Sequence, residues 1–317
     1  MFRPLFFTLF FFAAAACAEQ AARPGLVNER EVMTQLQIFL DQQLFGPGKI
    51  DGRGGEFTAK ALKRYQRAHG FPETGVADAN IPLGSVFPVY AEYTIADRDL
   101  QWIGDCPTKP EEQSKKKYLP YDSLLEFLTE RFHCDPELLV KINRGMNLER
   151  LRPGDIVRVP NVEEFKIEEL PKQGNLPPLP QFKSRVITID RKERMLELTE
   201  DEKLVASVPI TPGSTALPTP EGTWKIVGIA AMPTFRWDEG VLNHGVRTET
   251  FFNLPAGPNN PVGVLWCALN KPGIGIHGTN NPQTIGRAAS HGCMRVANWD
   301  VIRLSKLITP GMTVIIK

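Results

Sequence analysis

Residues His277 to Arg295 read HGTNNPQTIGRAASHGCMR, and they carry more chemical information than any other part of the chain. One cysteine and two histidines stand among glycines here, downstream of the apolar run Val264–Leu269. A nearby imidazole can take the proton of a thiol, and the resulting thiolate can attack a carbonyl carbon. Glycine beside the nucleophile lets a carbonyl approach the backbone, whose N–H groups can hold a developing oxyanion. The stretch therefore predicts nucleophilic acyl transfer with Cys293 as the nucleophile.

Strand-like runs lie on both sides of this stretch. They are short, apolar or alternating, and separated by turns rich in glycine and proline. The runs are Val186–Ile189, Met195–Thr199, Leu204–Val208, Trp224–Ile229, Val262–Leu269 and Met312–Ile316. The pattern predicts a mainly β domain over residues 183–317.

Four segments of this domain resemble a known family. They are TPEGTW at Thr219–Trp224, NPVG at Asn260–Gly263, GIHGT at Gly275–Thr279 and SHGCMR at Ser290–Arg295. Their order and sequence resemble the active-site segments of the L,D-transpeptidases, the cysteine enzymes that cross-link bacterial peptidoglycan, and the likeness covers residues 184–317. The resemblance implies a β-sandwich-like catalytic fold with its active-site segment on a strand end and a loop.

The same resemblance assigns roles to residues of the site. Cys293 is the nucleophile, His277 is the general base, and the backbone carbonyl of Gly278 orients the histidine ring. Because His277 lies sixteen residues before Cys293, the intervening loop must fold back. His291 is expected to shape the site, and the backbone N–H groups of His291, Gly292 and Cys293 are expected to form the oxyanion hole.

Three further polar residues are expected to hold the substrate or the loop. Arg295 can receive a substrate carboxylate in a bidentate pair, or it can form a salt bridge that holds the loop. Ser290 and Thr279 are expected to form hydrogen bonds within the loop. A zinc site built from the two histidines and the cysteine is an alternative, but neither a separate general base nor a carboxylate partner accompanies them in the segment. We therefore predict neither a metal nor a cofactor.

The resemblance implies a reaction on the stem peptides of peptidoglycan. Cys293 would attack the carbonyl between the third residue of a tetrapeptide stem and its terminal D-alanine, and an acceptor amine would resolve the acyl-enzyme. The product is a cross-link between two third residues or an acceptor protein anchored to the wall, and carbapenem-type inhibitors are expected to acylate the same thiol. Two alternatives remain: an L,D-carboxypeptidase or hydrolase on the same fold, and a non-catalytic peptidoglycan-binding protein.

Two small modules are predicted before the β domain, so that the fold class is a multidomain protein with α and α/β wall-binding modules. Residues 28–85 show helical periodicity around the loop Gly46–Gly55, and they resemble the three-helix peptidoglycan-binding domain. Residues 118–161 resemble a lysin motif, a unit that recognises N-acetylglucosamine polymers. Residues 86–117 and the proline-rich residues 162–182 are predicted to be linkers. For either module, the alternative is a packing role without sugar binding.

The N-terminus reads as a secretory signal. Arg3 precedes the apolar run Leu5–Phe12, and small residues follow, which predicts a signal peptide over residues 1–18 and a mature protein in the periplasm or cell wall. A lipoprotein anchored through Cys17 is the alternative. The whole chain has 37 Lys and Arg against 36 Asp and Glu, and this balance gives no sign of a nucleic-acid partner.

Four cysteines remain after the signal peptide: Cys106, Cys134, Cys267 and Cys293. Export implies an oxidising compartment, in which the nucleophile must stay unpaired. We predict a disulfide between Cys106 and Cys134. Cys267 lies in an apolar run and is expected to be a small buried hydrophobe.

Overall fold

The computed structural model describes residues 28–287 and 290–317, and the predicted signal peptide and Cys17 lie outside the described residues. Within the described part, no helix is both long and apolar enough to cross a membrane. Short 3₁₀ turns connect the main elements at Leu83–Ser85, Asp97–Trp102, Ile167–Glu169, Pro180–Phe182 and Pro282–Thr284.

Two amphipathic helices form the first unit, residues 28–85. Helix α1 spans Glu29–Gln42 and helix α2 spans Glu56–Ala68. Their apolar faces are buried together, because residues at helical spacing turn the same way. The amide of Gln37 fixes the loop between them: its oxygen accepts from the backbone N–H groups of Asp51 at 3.0 Å and Gly52 at 2.8 Å. The loop between the two helices is therefore held by a buried side chain.

The second unit, residues 86–161, pairs two strands around helices. Strand β1 spans Tyr90–Thr94, the helices are α3 at Pro110–Gln113, α4 at Leu124–Arg131 and α5 at Pro136–Ile142, and strand β2 spans Ile156–Pro160. The two strands are antiparallel, with Tyr90 opposite Pro160. Residues 86–117, which we predicted to be a linker, thus contain β1 and α3. The β1 sequence YAEYT leaves no strand residue fully buried, so the hydrophobic signal was weak.

The third unit is a mainly β domain, as predicted. Nine strands form its large sheet: β3 at Gly174–Asn175, β4 at Val186–Asp190, β5 at Met195–Glu200, β6 at Lys203–Pro209, β7 at Gly222–Ala231, β10 at Leu265–Leu269, β11 at Gly275–His277, β12 at Met294–Arg295 and β13 at Thr313–Ile316. A separate hairpin consists of β8 at Phe235–Trp237 and β9 at Phe252–Leu254, with helix α6 at Glu239–His244 between them, and helix α7 spans Asn298–Ser305.

The order of strands in the large sheet places the active-site segment at one edge. The main path runs β12-β11-β10-β7-β13-β4-β5-β6, and β3 pairs with β7. Because β3 lies in the proline-rich segment 162–182, that segment is not only a linker: it adds a short strand to the domain. Helix α7 follows β12 directly, which brings its first residues beneath the β11–β12 edge.

The three units pack against one another and are not joined only by linkers. One hydrophobic core joins the first two units and extends to Val264, Ala297 and Trp299 of the third, whereas a second core lies within the large sheet. The backbone N–H of Gly46 donates to the carbonyl of Ser207 at 2.8 Å, which ties the first unit to strand β6. The active site is thus built on a scaffold to which all three units contribute.

The predicted disulfide does not form. Cys106, Cys134, Cys267 and Cys293 are all free thiols. Cys134 is fully buried in the core shared by the first two units, whereas Cys106 is only partly buried, and its backbone N–H donates to Asp122. Cys134 is therefore a small hydrophobic core residue. Cys267 is buried in the sheet core, as predicted.

Candidate active site

Parallel pairing of β11 with β12 brings the predicted base and nucleophile together. Ile276 is opposite Met294 and His277 is opposite Arg295. Ile276 and Met294 are 2% and 0% exposed, so both face the sheet core. Because successive strand residues point to opposite faces, His277, Arg295 and the preceding Cys293 share the other face. The pairing of the two strands thus places His277 and Cys293, which are sixteen residues apart in sequence, on the same face of the sheet edge.

The His277 ring is buried and held on two sides. Its Nδ1 lies 2.6 Å from the carbonyl oxygen of Gly278, and its face stacks on Trp266 with ring centroids 5.3 Å apart. A carbonyl can only accept, so Nδ1 carries the proton and Nε2 keeps its lone pair. Burial lowers the pKa of His277 to about 4; the charge of Arg295 acts in the same direction and the bond to Gly278 opposes it. His277 is therefore a neutral imidazole at pH 7, with Nε2 able to accept a proton.

The Cys293 thiol is also neutral in the resting site. It is partly exposed, and its Sγ donates to the carbonyl of Gly273 at 3.3 Å. Burial raises the pKa of Cys293 to about 11, although a hydrogen bond from the Gly275 backbone favours the thiolate. Both groups are therefore neutral in the resting site, and the thiol must lose its proton when the sulfur attacks.

The backbone before Cys293 presents free donors. Gly292 has φ +106°, a conformation that only glycine adopts without strain. Across residues 28–287 and 290–317, no protein group accepts a hydrogen bond from the backbone N–H of His291, Gly292 or Cys293. Free N–H groups beside a nucleophile are what an oxyanion hole requires. Partial burial and the charge of Arg295 lower the pKa of His291.

Ser290 and Thr279 hold the loop through hydrogen bonds. Ser290 Oγ donates to the carbonyl of Cys293 at 2.5 Å, and its backbone N–H donates to Pro212 at 2.9 Å. Thr279 Oγ1 accepts from the N–H of Asn281 at 3.1 Å. These contacts fix both ends of the segment that carries the nucleophile and the base.

The Arg295 guanidinium is half-buried with free donors. Its Nε and Nη2 are buried without a hydrogen-bond partner, and burial lowers the pKa of Arg295. Among the residues that the structure describes, no carboxylate lies within salt-bridge distance of it. Of the two roles predicted for Arg295, the salt bridge is therefore absent among the described residues, and binding of a substrate carboxylate stays a prediction.

Two residues that the sequence did not single out complete the site. Trp266 stacks on His277 because the two are opposite each other across β10 and β11. Asn298 is fully buried at the start of α7, and its Oδ1 accepts from the backbone N–H groups of Val264 at 3.2 Å and Thr279 at 3.1 Å. In the sequence, nothing beyond an asparagine shortly after a strand marked Asn298 as a candidate for these hydrogen bonds.

The zinc alternative finds no ligand cluster in the described chain. No three His, Cys, Asp or Glu side chains among residues 28–287 and 290–317 are grouped so as to hold a metal ion.

A neutral thiol, an oriented imidazole and free backbone donors at a sheet edge define a cysteine acyl-transfer site. Comparison with known families is more specific. Residues 184–316 match the YkuD family, described as the L,D-transpeptidase catalytic domain, and residues 29–81 match the family described as "Putative peptidoglycan binding domain". The chain therefore carries an L,D-transpeptidase catalytic domain behind a peptidoglycan-binding domain.

Individual relatives carry the same family name. A Bacillus licheniformis protein named "Putative L,D-transpeptidase YkuD" is 28% identical over 190 residues, which are 60% of this chain and 91% of the relative. Its Bacillus subtilis namesake is 31% identical over 130 residues, which are 41% of this chain and 64% of the relative, slightly under two thirds. The solved catalytic domain of an E. faecium L,D-transpeptidase aligns at 19% identity with a TM-score of 0.34, covering 43% of this chain and 98% of that one.

Proposed function

We propose that this protein is an exported L,D-transpeptidase that acts on the tetrapeptide stems of peptidoglycan through an acyl-enzyme on Cys293. The observation that carries the proposal is the β11–β12 pairing, which puts Cys293 and a carbonyl-oriented His277 on the same face of neighbouring strands. The N–H groups of residues 291–293, which donate to no acceptor in the part of the chain that the structure describes, support the same assignment.

The neutral pair suggests how the first half-reaction proceeds. As Sγ of Cys293 attacks the carbonyl between the third residue and D-alanine, Nε2 of His277 takes the thiol proton. The carbonyl oxygen becomes an oxyanion that the N–H groups of residues 291–293 stabilise. Collapse of the tetrahedral intermediate breaks the C–N bond, and the imidazolium returns its proton to the departing amine of D-alanine. A thioester and a neutral His277 remain.

The second half-reaction uses the same groups in reverse. The amine of an acceptor attacks the thioester, His277 takes a proton from that amine, and the Cys293 sulfur leaves and is reprotonated. The product is a new amide, either a cross-link between two stems or a protein joined to the wall. We assign Arg295 to the carboxylate of the donor's terminal D-alanine, because its Nε and Nη2 have no hydrogen-bond partner among the described residues.

The two N-terminal units are proposed to hold peptidoglycan next to this site. A polar cleft of about 600 Å³ lies between the first unit's loop, the second unit and the β domain. It is lined by charged and amide side chains from all three, among them Asp51, Arg53, Glu137, Gln283 and Arg287. Carbohydrate hydroxyls and peptide carboxylates are the groups that such a lining binds. The helix pair and antiparallel strands of the second unit are compatible with a lysin motif that contacts the same glycan strand.

The reaction is tested by exchange of the terminal D-alanine on a purified tetrapeptide muropeptide. We expect the mature protein to exchange it, and Cys293→Ala and His277→Ala to lose exchange. Full exchange by Cys293→Ala would overturn the mechanism. Release of tripeptide without exchange, in the presence of an acceptor amine, would assign the protein to the L,D-carboxypeptidases instead.

Location and inhibition are proposed with the function. Cleavage after Ala18 would place the protein in the periplasm or cell wall, and N-terminal sequencing of the mature protein distinguishes this cleavage from lipidation at Cys17. A carbapenem is expected to acylate Cys293, so that intact mass increases in the parent protein but not in Cys293→Ala.

A further inference from the structure

A buried carboxyl group of the second unit contacts helix α7 of the β domain, close to the active site. Glu130, on helix α4, is 3% exposed. Its Oε1 accepts hydrogen bonds from Nδ2 of Asn298 at 2.9 Å and from the hydroxyl of Tyr121 at 3.1 Å. Glu130 and Asn298 are 168 residues apart in sequence, so this contact exists only when the second unit is docked on the β domain.

The chain of contacts continues from Asn298 to the histidine. Asn298 Oδ1 accepts from the N–H of Thr279, and Thr279 directly follows Gly278, whose carbonyl holds the His277 ring. Because the amide group is planar, a bond that fixes Nδ2 also fixes the direction of Oδ1. By holding Nδ2 of Asn298, Glu130 therefore fixes the position of Oδ1, the atom that accepts the hydrogen bond from Thr279 in the turn after His277.

The packing around Asn298 leaves little freedom for another arrangement. A Cβ atom on Gly263 or on Gly278 would lie 2.1 Å from Asn298 Oδ1, so the backbone on both sides lies against the amide. The second unit is itself fixed here. The N–H of Leu119 donates to Ala256 at 2.9 Å, and the amide of Asn259 donates to Pro120 at 2.8 Å, just before Tyr121.

The protonation of Glu130 suits this contact. Burial raises the pKa of Glu130 to about 8, although the bonds from Asn298 and Tyr121 favour the charged form. A neutral carboxyl can accept both bonds without leaving an unpaired charge in the interior. Glutamine has nearly the same shape and a carbonyl oxygen at the same position. The variant Glu130→Gln therefore keeps the acceptor for Asn298 and Tyr121 without a carboxyl group.

We propose that Glu130 is a positioning residue for acyl transfer: through Asn298 it holds the turn after His277 in the geometry that directs the imidazole at Cys293. The second unit thereby completes the active site, in addition to any contact with the wall. The proposal rests on the proposed Cys293–His277 chemistry, because it concerns the placement of that base.

The test measures how fast a carbapenem acylates Cys293 in the full mature chain of the parent and of each variant. The adduct is monitored by intact-protein mass spectrometry at increasing inhibitor concentration. This separates the acylation rate constant at saturation from the concentration for half-saturation. The variants are Glu130→Leu, Glu130→Gln and the matched control Glu126→Leu. Glu126 lies one turn earlier on α4 and contacts Asn259 at the same interface, but not Asn298. Glu130→Asp, one methylene shorter, replaces Glu130→Leu if the latter does not fold.

We expect Glu130→Leu to lower the saturating acylation rate at least about tenfold with little change in half-saturation, since small misplacements of a catalytic group are costly. Glu130→Gln and Glu126→Leu should stay within about threefold of the parent, because both retain the bond to Asn298. An unchanged rate in Glu130→Leu, or an equal loss in Glu130→Gln or Glu126→Leu, would overturn the proposal while leaving the proposed function intact. A parent protein that forms no adduct on Cys293 would overturn both.

Discussion

At the catalytic residues, burial sets the protonation states. It lowers the pKa of His277 to about 4 and raises the pKa of Cys293 to about 11, so that both groups are neutral between these values. Many cysteine nucleophiles instead rest as thiolates, next to a cation or a helix N-terminus. Here the charge of Arg295 acts on His277 and disfavours its protonation. The neutral pair is thus a specific and testable property of this site.

The first prediction concerns the reactivity of the thiol. In a Cys106→Ser background, alkylation of Cys293 by iodoacetamide should increase about tenfold per pH unit between pH 7 and 9, because only the thiolate reacts and its fraction rises in that proportion below the pKa. The rates are measured by intact mass, with Cys293→Ala as the control for the buried thiols. A rate that is already constant between pH 6 and 8 would indicate a resting thiolate–imidazolium pair.

The second prediction concerns Arg295. Arg295→Met should lower kcat/KM for the tetrapeptide substrate about tenfold to a hundredfold, as expected for the loss of hydrogen bonds to a charged group. Alkylation by neutral iodoacetamide should not fall, since that reagent has no carboxylate and the variant removes a charge that disfavours the His277 imidazolium. Steady-state kinetics and alkylation are run on the same preparation. Parallel losses in both assays would assign Arg295 to the loop structure instead.

Some residues of the site could be predicted from the sequence, and others could not. Cys293, His277 and Gly278 stand in short motifs whose chemistry is local, so their positions could be given in advance. Asn298 and Trp266 could not, because they act through contacts that only the sheet and helix α7 create.

At the scale of elements, the segment between base and nucleophile is held by its neighbours. Gly286, within that segment, has φ +75°, and a Cβ atom there would lie 2.0 Å from the Phe57 ring of helix α2. The amide of Gly286 donates to Thr211 Oγ1 at 2.8 Å, and its carbonyl accepts from Arg194 at 2.6 Å. The first unit therefore packs directly on the active-site loop.

The third prediction tests that packing. Gly286→Ala should destabilise the protein by about 2 kcal/mol or more, from backbone strain together with the clash against Phe57. In a Phe57→Ala background the additional cost should be about 1 kcal/mol smaller, because only the strain remains. Urea unfolding of the four proteins in this cycle gives the coupling. Gly84→Ala is the matched control, since a Cβ there meets nothing within 4 Å; additive effects of the cycle would contradict the contact.

The elements could be predicted where hydrophobic periodicity was strong. Helices α1, α4 and α5 and six strands of the large sheet, β4 to β7, β10 and β13, follow the pattern of buried positions, whereas the short strands β3, β11 and β12 were not predicted. The pattern at Val89–Ile95 was too weak to assign β1 to the second module, because its residues are partly exposed and its partner is more than sixty residues away. The disulfide prediction failed for a related reason: cysteine spacing does not reveal that Cys134 points into a shared core.

At the scale of the whole molecule, one buried ion cluster joins all three units. Asp41 of the first unit is 1% exposed, and its Oδ1 accepts from Arg303 of helix α7 at 3.0 Å. His133 of the second unit lies 3.2 Å from the same carboxyl and stacks on Trp299. Burial raises the pKa of Asp41, but Arg303 and His133 outweigh it and lower that pKa to about 2. The carboxylate is therefore a charged anchor between the units.

The fourth prediction follows from this anchor. Asp41→Asn should destabilise the protein by about 3 kcal/mol at pH 7, since it leaves the buried Arg303 charge with only the more distant Asp300 carboxyl at 3.9 Å. A depressed pKa stabilises the fold above the ordinary value of 3.8, and this stabilisation is lost as pH falls toward about 2, so the difference between variant and parent should shrink over that interval. Urea unfolding at several pH values measures it. Asp105→Asn, which removes an exposed pair with Lys116, should change stability by less than about 1 kcal/mol, and an equal effect of the two would contradict the anchor.

The measurement that tests the central claim most directly is intact-protein mass spectrometry of residues 19–317 after incubation with a disaccharide-tetrapeptide, with and without an acceptor amine. We predict an acyl adduct on Cys293 that lacks the terminal D-alanine, and a cross-linked or exchanged product when the acceptor is present. An adduct that resolves only to free tripeptide in both conditions would contradict transpeptidation, and activity without any adduct on Cys293 would contradict the cysteine mechanism itself.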